Sequence, residues 1–489
     1  MGQQETTSDE PLTPGARLFL VPGFNQTIIC AIGLRDPVTP DSIEIMKSNL
    51  ANSLITKHPR FNSLFVTDKN GRQYWRRTRV NLDDHVLIRY HYEQSSGESA
   101  SIDVDSEFYE DIINDYVADL MIAPPLSKDK PLWELHLIVD LRCIVWRIHH
   151  ALGDGISLVS MFLEGCRLLS NHDQVPDLLR VRKKEEGHHG RRKEAVRLPS
   201  IEDLLWFLKV IWFTLIYVAA FIARSLGAKD KKTVISGGDG VEMWPKKIAT
   251  AKFLLDDMKI AKRGVPNSTI NDVLFGIVSS GLSRYLEVRS PQDMQEGQQI
   301  TGLAMVNLRE SKGLQEMSKL MAEGGTTRWG NEFGFVLLPI HYHRTGPGED
   351  PLEHVRRAKQ MSDRKKLSLE AYFTHNTCDF LTAFLGPEKT RESNYKVLCN
   401  STFTISNLAG PPEVITIAGN PVTFMKSAAT SLPHAVVMYM ISYSGVAYMQ
   451  VCVAKDIIPD PKFLVKCLED ALLEMKTAAE AKSNKSKHA

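Results

Sequence analysis

The chain has 489 residues, 43% hydrophobic and 24% charged, which is the profile of a folded protein with room for two or more core-forming units and not of a disordered one. Its 59 Lys and Arg against 58 Asp and Glu leave a formal charge of +1, so no overall field recruits nucleic acid, which is not an expected partner. Seven scattered cysteines (30, 143, 166, 378, 399, 452 and 467) have neither zinc-knuckle nor redox-pair spacing and read as buried, reduced thiols.

Met1 to Pro14 is polar and acidic, unlike a signal peptide, and the folded portion is expected to face the cytosol. Met1-Gly2 with Thr6 fits the short myristoylation pattern, one that arises often by chance. Under a cytosolic reading the sequons at Asn25, Asn267 and Asn400 carry no weight.

Residues 15–180 alternate strand-like and helix-like stretches: an apolar run Thr27–Ile32, a helical pattern Asp41–Lys57, and paired strands Trp133–Val139 and Cys143–Ile148. Residues 180–197, with eight Lys or Arg and a His188-His189 pair, read as a solvated linker. Leu204–Ala223, the most apolar stretch, follows, with Lys209 its only charge. Beyond Thr250 the mixed pattern resumes with a helix Thr269–Leu286 and strands near Leu303–Val306, Phe333–Pro339 and Phe403–Ser406. A hairpin then runs Val436–Ser442 into Val446–Ala454, and an amphipathic helix Pro461–Ala481 closes the chain. The predicted organisation is an α/β half at 1–180, a basic linker with a hydrophobic helix at 181–249, and a second α/β half at 250–485.

The chemistry concentrates in His149-His150-Ala151-Leu152-Gly153-Asp154-Gly155, which begins where a predicted strand ends and stops where a helix with Ile156, Val159, Leu163 and Cys166 on one face begins. Strand ends followed by tight turns are where a rigid framework presents reactive side chains. A neutral imidazole there can take a proton from an alcohol and return it to a leaving thiolate. Asp154 is suited to fix the loop by pairing with a distant cation, and the flanking glycines are expected to allow unusual backbone angles. The bland alternative is a histidine pair that caps a strand and an Asp-Gly that merely turns. No third ligand completes a metal site, and no Gly-x-Ser-x-Gly elbow or paired cysteine offers a nucleophile for an acyl-enzyme. Phosphate-loop and Rossmann glycine patterns are missing as well.

The string resembles the HHxxxDG motif of the bifunctional wax ester synthase/diacylglycerol acyltransferases in their plant form. The likeness extends to Pro131-Leu132-Trp133, Asn271-Asp272, Val306-Asn307-Leu308-Arg309 and Ser406-Asn407-Leu408-Ala409-Gly410-Pro411, the last departing from the usual Ser-Asn-Val-Pro-Gly-Pro at two positions. The Asp-Phe-Gly-Trp-Gly string of plant acyltransferases for phenolic alcohols is missing, as are the carrier domains that accompany condensation domains of peptide synthetases. The resemblance implies two chloramphenicol-acetyltransferase-like α/β halves enclosing a tunnel, with acyl-CoA as co-substrate, no resident cofactor or metal, and a fatty alcohol or diacylglycerol as acceptor. By it His150 is the general base, His149 a supporting neighbour and Asp154 the partner of Arg309 in a salt bridge; Asn271 is the candidate oxyanion donor of the mechanism, and Gly155 is structural. Pro131, Leu132, Trp133, Ser406 and Asn407 are expected along the tunnel.

Twenty residues at ~1.5 Å each would span a ~30 Å hydrocarbon layer. Crossing at Leu204–Ala223 would part His150 from Asn271 and Arg309, so an interfacial or re-entrant helix is the expectation and a buried core helix the alternative. Basic flanks at Arg191–Lys193 and Arg224–Lys232 agree with one-sided binding to anionic headgroups. The implied location is the cytosolic face of the endoplasmic reticulum, with the plasma membrane as a second site. Two other functions stay open: a non-catalytic lipid-binding or tethering protein of the same fold, and an acyltransferase for a smaller soluble acceptor.

Overall fold

A computed structural model describes residues 9–52, 56, 58–91, 106–171, 174, 176, 200–309, 329–344, 346, 348–430 and 432–488. Gly2, most of the basic linker, the His188-His189 pair and the Arg191–Lys193 flank lie outside the described residues.

Two sheets carry the fold. In the first, seven strands run in the order Val86–Arg89, Trp133–Ile138, Cys143–His149, Thr27–Leu34, Asn420–Ala429, Ile415–Ile417, Arg167–Leu168. In the second, six run Phe333–His341, Gln299–Asn307, Phe403–Ala409, Val436–Tyr443, Val446–Ala454, Lys246–Leu254. The hairpin turns at Ser444 and Gly445, with φ of 45° and 86°, a left-handed pair that matches the twist of the strands and favours glycine at its second position.

The halves are not the contiguous blocks expected. Lys246–Leu254 joins the second sheet from before residue 250, and Ile415–Ile417 and Asn420–Ala429 leave the C-terminal half to complete the first sheet. Asn420–Ala429 pairs antiparallel with Thr27–Leu34 and is mostly buried, its Ala428 and Ala429 packing with Val437 and Tyr439 of the second sheet. An apolar cluster then joins Ile29 and Val145 of one sheet to Leu303, Leu337 and Val437 of the other, packed with the helix Glu107–Ile122. The sheets are thus held together by the strands that the C-terminal half lends to the first sheet and by a shared core.

The hydrophobic segment forms one helix, Ile201–Ser225, opened by a capping box between Ser200 and Asp203. It is not a core helix: Arg224 is its only buried residue, and Leu204, Leu205, Trp206, Phe207, Trp212 and Leu215 are all more than half exposed. Its C-terminal portion docks on the second half. There Lys365 Nζ sits 3.5 Å from the centre of the Tyr217 ring, Thr214 Oγ1 accepts from Leu369 N at 3.0 Å, and Arg224 pairs with Asp230 at 2.7 Å. Arg224 is therefore spent inside the protein, which leaves Lys229, Lys231 and Lys232 as the exposed cations beyond the helix.

Candidate active site

The strand Cys143–His149 is buried along its length and braced by a strand on each side, so its end is a fixed point. The chain leaves it through one 3-10 turn, His150–Leu152, and Asp154 then caps the helix Gly155–Glu164.

His149 faces inward. Its backbone N–H donates to Leu132 O at 3.0 Å and its Nδ1 accepts from Ala151 N at 3.2 Å. Burial, reinforced by the neighbouring His150, pushes its pKa down to about 3, so it stays neutral and holds the turn.

His150 is clamped at two points by Asn331. The Asn331 amide Nδ2 donates to His150 O at 3.0 Å, which turns the amide oxygen toward the ring, 2.9 Å from Nδ1. An oxygen can only accept, so Nδ1 carries the proton and Nε2 keeps its lone pair. Phe19 stacks on the ring at 4.3 Å, and Phe333 lies tilted at 5.9 Å. Burial lowers the His150 pKa below the ordinary histidine value, with the Asp154 charge opposing, so the free base prevails at neutral pH.

The Asp154–Arg309 salt bridge forms at 2.6 Å, both side chains almost fully buried. Asp154 Oδ1 accepts from Ser157 N at 3.0 Å, while Oδ2 accepts from Arg309 and from Glu332 N, the latter at 3.0 Å. Arg309 also donates to Gly330 O at 2.7 Å and Ser157 Oγ at 3.1 Å. One carboxylate thus ties the motif turn to the end of the strand Gln299–Asn307 and to the Gly330–Glu332 segment that carries Asn331.

The glycines serve by size and not by backbone angle. Gly153 has φ of 168°, extended backbone that any residue adopts, but a Cβ there would meet Ser157 Cβ at 3.2 Å. A Cβ on Gly155 would stand 2.6 Å from Leu408 Cδ1.

A cavity of about 180 Å³ opens beside His150 between the two halves. Phe19, Phe24, Phe333 and Phe335 make its apolar wall, while His375, Asp379 and Arg391 come from the helices Glu370–Phe384 and Pro387–Cys399. Ser406 and Asn407 line it as expected.

Four expected residues lie elsewhere. Pro131, Leu132 and Trp133 are buried away from the cavity, with Trp133 stacked on His85 at 4.1 Å and its Nε1 donating to Phe61 O at 2.9 Å. The strand they open turns these side chains into the core, so they position His149 from behind. Asn271 is exposed and off the cavity wall; its Oδ1 accepts from Asn407 Nδ2 at 2.8 Å. A solvent-facing amide off the cavity wall cannot act as a preorganised oxyanion donor there. Asp272 beside it caps the helix Ile270–Arg289 together with Thr269.

Asn331, Phe19 and Phe333 were not singled out from sequence. Asn331 is a polar residue in Trp329-Gly330-Asn331, just ahead of a strand, yet nothing local links it to a histidine 181 residues away. Replacing Asn331 by Leu should lower kcat by about 10²-fold with KM little changed, because a freed ring loses its tautomer and aim. Steady-state kinetics on a variant with wild-type circular dichroism checks this; an unchanged kcat contradicts it.

Two α/β halves around a cavity, with a neutral histidine at the seam, define a chloramphenicol-acetyltransferase-like, CoA-dependent acyltransferase fold. A wax ester synthase/diacylglycerol acyltransferase from Marinobacter aquaeolei superposes over 96% of this chain and 100% of its own at TM-score 0.58 and 16% identity. A trichothecene 15-O-acetyltransferase from Fusarium sporotrichioides does so over 96% and 94% at TM-score 0.57 and 12% identity.

The wax ester synthase/diacylglycerol acyltransferase catalytic domain matches residues 110–232, and the WS/DGAT C-terminal domain matches residues 329–476. Among relatives, wax ester synthase/diacylglycerol acyltransferase 4 of Arabidopsis thaliana is 34% identical over 97% of this chain and 91% of its own. The Arabidopsis wax ester synthase/diacylglycerol acyltransferase 6 is 32% identical over 99% and 96%. The chain belongs to the wax ester synthase/diacylglycerol acyltransferase family.

Proposed function

We propose that this chain is an acyl-CoA-dependent O-acyltransferase that esterifies long-chain fatty alcohols, diacylglycerol or both, with His150 as general base. The observation that carries the reading is the Asn331 clamp, which leaves an unprotonated Nε2 at a cavity between the halves. The acceptor hydroxyl gives its proton to Nε2 as its oxygen attacks the thioester carbonyl. The tetrahedral oxyanion then collapses, the carbon–sulfur bond breaks, and the imidazolium returns the proton to the departing thiolate. Asp154 holds geometry in this scheme, since its oxygens are engaged by Arg309, Ser157 and Glu332.

Membranes containing the protein, given radiolabelled palmitoyl-CoA with hexadecanol or with dioleoylglycerol, should form the corresponding ester. No ester from either acceptor at normal expression would overturn the proposal. A lipid-binding or tethering protein would keep its cellular phenotype after His150→Ala, whereas this reading requires its loss.

The proposal extends to the membrane. The helix Ile201–Ser225 exposes Trp206, Phe207 and Trp212, and lysines follow at 229, 231 and 232. Apolar side chains with basic neighbours suit a helix lying in the cytosolic interface of the endoplasmic reticulum. A crossing is disfavoured because the first sheet takes strands from both sides of this helix in the chain. Trp206→Asp combined with Trp212→Asp should weaken flotation with anionic phospholipid vesicles by at least about tenfold. Equal flotation of variant and wild type would sink the interfacial assignment, and an enzyme that stayed active after release would favour a soluble acceptor.

A further inference from the structure

Behind the motif helix lies a second, smaller cavity of about 60 Å³ that the mechanism does not use. It is walled by Ile28, Ile32 and Trp146 of the first sheet, by Val159 and Phe162 of the helix Gly155–Glu164, and by Met425 of the strand that crosses from the C-terminal half. Ser427 carries the one hydroxyl on this wall, and burial pushes the Cys30 thiol up to about 12, so it stays protonated and behaves as a small apolar group. A polar ligand would find its donors and acceptors unmatched there, whereas methylene groups need no partner.

The two cavities share Gly155 and Leu408 in their walls. Leu408 projects from Phe403–Ala409 onto the start of the motif helix, where the missing Cβ of Gly155 makes room for it. His150, Asp154 and Gly155 line the first cavity on one side of Leu408; the apolar slot lies on the other. From this juxtaposition we infer that the slot receives the distal alkyl segment of a long-chain substrate whose reacting end lies at His150, and that Leu408 sets how much of the chain passes.

This inference rests on the acyltransferase reading and deepens it by naming a chain-length determinant. Acyl-CoA and fatty alcohol both carry an unbranched alkyl tail, so two assay arms separate them. In one, octanoyl-CoA and palmitoyl-CoA compete at fixed hexadecanol; in the other, octanol and hexadecanol compete at fixed palmitoyl-CoA. Each methylene that gains burial is worth a factor of about four in kcat/KM.

Val159→Phe fills the slot and should cut the C16/C8 preference at least about tenfold in the arm whose tail occupies it. Leu408→Ala widens the passage and should move the optimum in that same arm toward chains beyond C16, an opposite shift that a folding defect cannot mimic. Ester formation with the C16/C8 ratio unchanged in both arms and both variants overturns the inference while leaving the acyltransferase reading intact. Thermal stabilisation by palmitoyl-CoA over octanoyl-CoA is read in parallel. A stabilisation that Val159→Phe abolishes, in a wild type that makes no ester, supports the slot and sinks the catalytic reading.

Discussion

His150→Ala is expected to lower kcat by ~10² to 10⁴ while the protein keeps its fold and its affinity for acyl-CoA. The ring makes one side-chain hydrogen bond to Asn331, and its backbone contacts to Gln26 and Asn331 survive truncation. Loss of the ring opens space against Phe19, an apolar contact whose removal costs far less than folding requires. Ester formation under saturating palmitoyl-CoA and hexadecanol, normalised to folded protein, measures the effect. A variant retaining more than a tenth of wild-type kcat would remove His150 from the role of base.

The second large effect concerns stability. Asp154 and Arg309 are both almost fully buried, and neither can lose the other without leaving a charge in the interior. Arg309→Ala should destabilise the protein by about 3–5 kcal/mol, with kcat falling as well because Gly330 and Asn331 lose their anchor. Arg309→Lys keeps the charge but cannot reach Asp154, Ser157 and Gly330 together, so it should recover only part of the loss. Urea unfolding of the three proteins reads the difference. A stability for Arg309→Ala within about 1 kcal/mol of wild type would mean the pair does not hold the halves in register.

Much of this was legible in the sequence, for identifiable reasons. The motif strand, the hydrophobic helix and the hairpin around Ser444-Gly445 are local patterns whose period or turn chemistry fixes their type. The Asp154–Arg309 pair came from the family resemblance, not from spacing, since 155 residues separate the partners. What stayed hidden was long-range. The crossing of Asn420–Ala429 into the first sheet is a pairing with Thr27–Leu34 about 400 residues away, and no window of sequence reports that. The resemblance implies a tunnel position for Pro131-Leu132-Trp133, whereas the strand it opens directs its bulk into the core. Asn271 was assigned a donor's role on position alone; the fold sets it outside, holding Asn407. Asn331 shows the reverse failure, an ordinary amide in the chain that gains meaning only when the segment ahead of Phe333–His341 is brought to His150.

The pH dependence of kcat/KM in the wild type and in Asn331→Asp tests most directly whether one uncharged, aimed imidazole does the chemistry. Because burial lowers the His150 pKa, wild-type activity should fall only as the pH drops below the ordinary histidine range, through a single ionisation. A carboxylate in place of the Asn331 amide would stabilise the imidazolium, so the acid limb should move to higher pH. A limb that stays put in the variant, or a wild-type profile with no acid limb, would contradict the assignment of His150 as the base.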